Sequence, residues 1–161
     1  MKLIFVHHAL RDRGNPPSQD DDIKELGERD AKIVAEMLLD AQNKGQNIVA
    51  IYSSPFYRCM KTAKIVNEHI KLPIFEEKRF NEARSVPGET WIDMQQRMRD
   101  ALYDIVSKHK EEESVVCVTS GANIVAFISL AYKLPPDESV PFIGVPSCSP
   151  LVFDIKKENF V

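Results

Sequence analysis

The residues in this sequence best suited to chemistry are His8, Arg58 and Glu82, each lying just beyond an apolar or mixed run. A neutral imidazole attacks phosphorus readily and leaves again as an imidazolium, so His8 is a candidate nucleophile. Arg58 falls in the first turn of an expected helix, where outward-pointing N–H groups and the positive end of the macrodipole favour anions. Its guanidinium can grip two phosphate oxygens at once. Glu82, as a carboxylic acid, can protonate a leaving alcohol. Singly, each has an ordinary reading: a satisfied polar group after a strand, a surface cap, a solvated charge. Together, at successive strand ends, they form a phosphate-friendly set.

The elements that must position them are legible as alternating periods. Lys2–Val6, Ile48–Tyr52 and Val115–Thr119 read as short buried strands, Pro73–Arg79 as a weaker one and Leu151–Ile155 as the last. Helical spacing runs through Ile23, Leu26, Ala31, Ile33, Val34, Met37 and Leu38, and Lys44-Gly45 closes it. A second helix starts at Ser53-Ser54-Pro55, with a Ser cap before a Pro at the first helical position, and stops at about Ile70. A third carries Trp91, Met94, Met98, Leu102, Ile105 and Val106 on one face; Gly121–Tyr132 is the fourth. Arg11–Asp22, with Gly14, Pro16 and Pro17, and Leu134–Pro150 read as loops. Strand–helix alternation predicts an α/β fold, a single three-layer α/β/α domain over residues 1–161 with a mostly parallel central sheet. In such sheets the ligand crevice lies beyond the carboxyl ends of the strands, here at His7-His8, Ser53-Ser54, Glu82 and Ser120-Gly121.

Composition narrows the function. A chain of 161 residues, 43% hydrophobic and 28% charged, has the makings of one folded domain and not of a disordered segment. A net charge of −3 without a long Lys/Arg run argues against a nucleic-acid surface, and no apolar stretch reaches membrane-span length. Cys59, Cys117 and Cys148, odd in number and without a C-x-x-C pair, point to a reducing cytoplasm. The P-loop, the dinucleotide fingerprint, the G-x-S-x-G elbow and the common zinc spacings are all absent. A metal site from His7, His8 and Asp20–Asp22 is disfavoured, because adjacent strand residues point to opposite faces. The aspartate run reads as a solvated loop; the alternative is a segment over the crevice that repels highly anionic substrates.

Longer motifs add a family resemblance. Phe5-Val6-His7-His8-Ala9 resembles the L-V-R-H-G or R-H-A opening signature of the histidine phosphatase superfamily, with its phosphoglycerate-mutase-like fold. Ser53 through Ala63 matches that family's S-S-P-x-x-R-x-x-x-T-A almost throughout, and this is the specific match. Ile23–Ala31 is similar to L-T-x-x-G-x-x-Q-A, keeping Gly27 and Ala31. Phe80-Asn81-Glu82 is similar to L-x-E, Gly88-Glu89 to G-E and Val118–Gly121 to V-x-H-G. Ser147-Cys148-Ser149 resembles the small polar residues before the final strand. The short length is similar to the minimal bacterial phosphohistidine phosphatases. The resemblance implies that His8 is transiently phosphorylated, Arg58 clamps the phosphate and Glu82 donates the proton. It places His7, Ser120 and Gly121 beside the phosphate and implies neither cofactor nor metal.

The chain departs from that pattern at two positions. A family pocket of Arg, His, Arg and His reads here His7, His8, Arg58 and Ser120. His7 lacks a permanently charged fork and Ser120 offers one hydroxyl. Each loss costs about 10²–10³ in rate, and both together roughly 10⁴–10⁶ if independent. Uncatalysed phosphomonoester hydrolysis is slow enough for accelerations of ~10²¹, so a weakened site still outruns water. The expectation is a phosphatase-like protein of weakened or altered activity, acting on a small phosphorylated molecule or a phosphoprotein. The alternative is a non-catalytic relative that binds a phosphorylated or other anionic ligand through His8, Arg58 and the helix N-terminus. A mutase ranks third, for want of the long insertions that shape such a pocket.

Overall fold

Alternation along the first strand decides which helical layer each side chain meets. In the computed structural model, which describes residues 1–12, 18, 20–82, 87–133 and 144–156, β1 spans Lys2–His7. Leu3 and Phe5 enter one apolar cluster while Ile4 and Val6 enter another. That period of two is what a strand covered on both faces requires. The same split divides Val115 and Cys117 from Val116 and Val118 in β4 (Ser114–Thr119). With β2 (Ile48–Ser53), β3 (Ile74–Glu76) and β5 (Pro150–Asp154), the sheet has the order β3-β2-β4-β1-β5. The first four strands run parallel, and β5 lies antiparallel against β1 at the edge.

Two helices cover each face. α1 (Glu25–Asn43) and α2 (Tyr57–Ile70) bury Ala31, Val34, Leu38, Ala63 and Val66 against one side. α3 (Trp91–Lys108) and α4 (Gly121–Ala131) bury Met94, Met98, Leu102, Ile124 and Phe127 against the other. There Phe127 stacks on Phe5 with ring centroids 4.6 Å apart and meets Phe153 edge-on at 4.8 Å. This is the expected single α/β domain of three layers with a mostly parallel central sheet.

Local departures have local causes. In α1, Leu26, Ile33 and Met37 are half-exposed, and the buried face runs instead through Gly27, Ala31, Val34, Ala35 and Leu38. Small residues face inward because the chain after β1 lies directly against the helix. A Cβ at Gly27 would stand 2.8 Å from both the backbone N and O of Leu10. Ile23, which the spacing places in the helix, forms a bridge with Arg11 before it. The helix ends as expected at Lys44, with Gly45 beyond it at φ +92.

The second helix begins at Tyr57 and not at Pro55, with Phe56 at the N-cap and no side-chain cap. Both serines are otherwise committed: Ser53 closes β2, and the Ser54 N–H donates to Val118 O at 3.0 Å. Pro73–Arg79 yields three strand residues and then a 3-10 turn, Lys78–Phe80, whose Phe80 is fully buried. α3 opens on a Thr90/Asp93 capping box that the spacing alone did not flag. The expected loop positions Gly14, Pro16 and Pro17, and most of the Pro-rich connection before β5, lie outside the described residues.

Gly27→Ala should lower the free energy of unfolding by about 1–3 kcal/mol, the usual cost of forcing a methyl into a packed backbone contact. Urea unfolding followed by circular dichroism checks it, and an unchanged midpoint would mean that the Leu10 segment yields freely.

Candidate functional site

The carboxyl ends of β1, β2 and β4 meet where β1 hands the chain from His7 to His8. Alternation sends His7 toward the α3/α4 layer, where a Cβ on Gly121 would lie 3.2 Å from its Cε1. His8 turns toward α2, and its backbone N–H donates to Thr119 O at 2.9 Å. Past the strand's last residue the two rings still meet, edge to face, with centroids 4.5 Å apart. The expectation that neighbours on a strand diverge therefore holds for their partners but not for their rings.

His8 is 6% exposed. Its Nδ1 lies 2.8 Å from the Ala9 carbonyl and its Nε2 3.2 Å from Arg58 Nε. Arginine can only donate and a carbonyl can only accept, so these two contacts assign the tautomer. Nδ1 carries the hydrogen and Nε2 presents its lone pair to Arg58. Burial first, and the adjacent His7 second, push the imidazole down to about 3.

Arg58 sits in the first turn of α2, 1% exposed, with its Cζ 4.9 Å from the Phe56 ring centroid. Its Nη2 is ion-paired with Glu82 Oε2, and its Nη1 donates to Ser18 O at 3.4 Å. His8 and Arg58 thus touch directly. Thr62 explains the tight fit. Its hydroxyl donates to Arg58 O at 2.7 Å and accepts the Ala9 N–H at 2.9 Å, tying α2 to the segment after β1.

Glu82 is held from behind. The buried Asn123 amide of α4 donates to Phe80 O at 2.6 Å, Asn81 O at 3.0 Å and Thr119 Oγ1 at 2.7 Å. Ser54 Oγ donates to Asn81 Oδ1 at 2.9 Å. Arg97 of α3 donates to the carbonyls of Arg79 and Asn81 while bound to Glu89 at 2.7 Å. These donors satisfy backbone carbonyls where regular structure stops, so the turn carrying Glu82 is fixed at the crevice.

The two departing positions behave differently from a cation and a histidine. His7 Nδ1 lies 2.7 Å from Val145 O, and the Cys148 N–H donates to His7 O at 3.0 Å. Burial lowers its pKa against the opposing pull of the Val145 carbonyl, which favours the neutral ring. His7 therefore anchors the segment before β5. Ser120 is buried at the N-cap of α4, and its hydroxyl has no hydrogen-bond partner among the described residues.

The six residues singled out from the sequence are thus brought together around β1 and β4. His69 and His109 stand apart; His109 instead joins Tyr52 Oη at 2.9 Å and Glu113 at 3.0 Å. The aspartate run is not uniformly solvated, as the sequence implied. Asp21 is buried and 3.7 Å from Arg11, while Asp22 pairs with Lys61 at 2.7 Å. Arg11, Thr62, Asn123 and Arg97 were not assigned roles from the sequence. Thr62 stood inside a recognised motif, and Arg11 lay in the loop after β1; Asn123 and Arg97 gave no signal of their own. A separate cavity at the opposite end of the strands is lined by Met1, Lys2, Asp40, Lys44, Glu111 and Asp154 among others, and has no histidine, cysteine or arginine.

The family model for the histidine phosphatase superfamily (branch 1) matches residues 12–85 and 82–161, beginning after His7 and His8. No curated protein matches the sequence. Among solved structures, YhfR of Bacillus stearothermophilus is similar at 22% identity and TM-score 0.76, over 96% of this chain and 91% of that one. A mycobacterial glucosyl-3-phosphoglycerate phosphatase, in complex with VO3, has 21% identity and TM-score 0.75, over 94% and 90%. SixA from Agrobacterium tumefaciens has 18% identity and TM-score 0.67, over 95% and 90%. At these identities the likeness is one of fold.

The lowered His8 pKa carries a sign for stability. Above the ordinary value of 6.5 both folded and unfolded chains hold a neutral imidazole. Below it the unfolded chain takes up a proton that the native His8 refuses until about 3, so stability falls as the pH drops through that window. The expected contribution is about 1.4 kcal/mol per pH unit, and His8→Gln should remove it. Urea unfolding of both proteins between about pH 4 and pH 5.5 checks this; equal slopes would contradict the buried neutral tautomer.

Proposed function

The chain belongs to the histidine phosphatase superfamily (branch 1), and from that premise we propose that it hydrolyses phosphomonoesters through a phosphohistidine at His8. The observation that carries the reading is the tautomer: Nε2 holds a lone pair, faces the Arg58 guanidinium, and is backed by an Nδ1–H fixed on Ala9 O. An entering phosphate takes over the donors of Arg58, and the lone pair is released for attack. The Nε2–P bond forms, the P–O ester bond breaks, and Glu82, which takes up a proton from solvent once the phosphate displaces it from Arg58, gives that proton to the departing alkoxide. The Ala9 carbonyl stabilises the cationic ring meanwhile. Water then attacks phosphorus with Glu82 taking its proton, the N–P bond breaks, and inorganic phosphate and neutral His8 are restored.

Weakened activity is part of the same proposal. His7 is committed to Val145 and favours the neutral form, and Ser120 contributes a single hydroxyl. Substrates are small phosphorylated molecules or phosphoprotein side chains; the mycobacterial structural neighbour, a glucosyl-3-phosphoglycerate phosphatase, supports the small-molecule class. The three free cysteines support a reducing compartment, the cytoplasm. Among the described residues no helix is long and apolar enough to cross a membrane.

A radiolabelled small phosphomonoester, mixed with the protein and quenched in alkali, should leave an acid-labile label at residue 8 that His8→Ala loses. Phosphate binding without any label would make the chain a binding protein. The double variant His7→Arg, Ser120→His should speed hydrolysis by about 10²-fold or more, and no gain would mean that the pocket lies elsewhere.

A further inference from the structure

Arg11 belongs to none of the motifs above, yet its side chain ends in the crevice. Its Nη1 lies 3.9 Å from Glu82 Oε2, the same carboxylate oxygen that Arg58 grips. One oxygen is therefore approached by two guanidinium groups, one from the loop after β1 and one from α2. We propose that Arg11 is the second phosphate-binding cation of this site, closing with Arg58 on the phosphoryl oxygens when Glu82 is displaced. The proposal rests on the phosphohistidine reading of the same crevice.

Charge and rigidity both argue for it. With His7 and His8 neutral, the described residues at the crevice would otherwise set Arg58 alone against the carboxylates of Glu82 and Asp21. Among the described residues, a phosphomonoester dianion would then meet one positive group against two negative ones. Arg11 removes that excess, and its planar fork suits two oxygens of one phosphoryl group. Nor is it a loose surface arginine. Its side chain is 19% exposed and lies 3.7 Å from the buried Asp21 carboxylate. Its backbone is pinned on both sides: Arg11 bridges Ile23, Asp12 N–H donates to Asp22 O at 2.7 Å, and Lys24 N–H donates to Leu10 O at 2.8 Å. Leu10 in turn rests on Gly27. The tight α1 packing that Gly27 permits thus aims Arg11 at Glu82.

The test uses inorganic phosphate by calorimetry and para-nitrophenyl phosphate turnover. Arg11→Met should weaken phosphate binding about 10-fold or more and lower kcat/KM by about 10²-fold, with millimolar guanidinium restoring part of the loss. Arg11→Lys keeps the charge and the Asp21 partner but loses the fork, so it should fall between; it also serves if the Met variant does not fold. Phosphate binding and turnover unchanged in Arg11→Lys and Arg11→Met would overturn the proposal, as would a wild-type protein that binds no phosphate. A wild-type protein that binds phosphate but carries no label at His8 would defeat the phosphohistidine reading alone, and phosphate titration of the variants would still decide Arg11.

Discussion

The crevice is organised by the burial of one guanidinium. A cation as enclosed as Arg58 costs several kcal/mol unless its N–H groups are met, and breaking such a pair leaves an uncompensated charge. Glu82 meets Nη2, the Phe56 ring covers one face, and His8 Nε2 receives Nε. That last contact does more than satisfy a donor. Because it requires a lone pair on Nε2, it forces the proton onto Nδ1 and points Nε2 at the guanidinium. A single buried charge thus sets the protonation, the direction and the partner of the candidate nucleophile.

The fold supplies this contact by placing sequence-distant strand ends side by side. β4 runs between β1 and β2, so the chain leaving β1 faces α2 while α4 rises beneath His7. Close packing then removes freedom: Gly27 lets α1 press on Leu10, and Thr62 links Ala9 to the first turn of α2. On the other side, Asn123, Thr119 and Arg97 hold the carbonyls around Glu82. The candidate groups sit on short segments at strand ends, and polar side chains that are wholly or largely buried fix them there. His7 shows the cost of specialisation. By bonding to Val145 and Cys148 it ties the residues just before β5 to β1, and it offers no permanent charge.

Much of this was readable in the order of residues because the governing signals are local. The continuous apolar runs Lys2–Val6 and Val115–Thr119, with the β-branched residues there, mark buried strands whatever surrounds them. The S-S-P-x-x-R-x-x-x-T-A segment carries Arg58 and Thr62 at the i, i+4 spacing that their hydrogen bond requires. What was not readable depends on tertiary neighbours. Leu26, Ile33 and Met37 look like a core face, but only the approach of Leu10 to Gly27 reveals that the small-residue face turns inward. Ser53 and Ser54 look like helix caps, but the pairing of β2 with β4 claims them first. Arg11 has no signature in its own segment; its meaning comes from Glu82, seventy-one positions away in sequence and 3.9 Å away in space.

We propose that the ion pair between Arg58 and Glu82 holds the place of a phosphate against His8. A crystal structure of the protein with orthovanadate tests it most directly. The expected result is vanadium bonded to His8 Nε2, its oxygens on the Arg58 and Arg11 guanidinium groups, and Glu82 moved off Arg58 to the oxygen opposite His8. Vanadate bound elsewhere, with the contact between Arg58 and Glu82 intact and His8 Nε2 still facing Arg58 Nε, would contradict it.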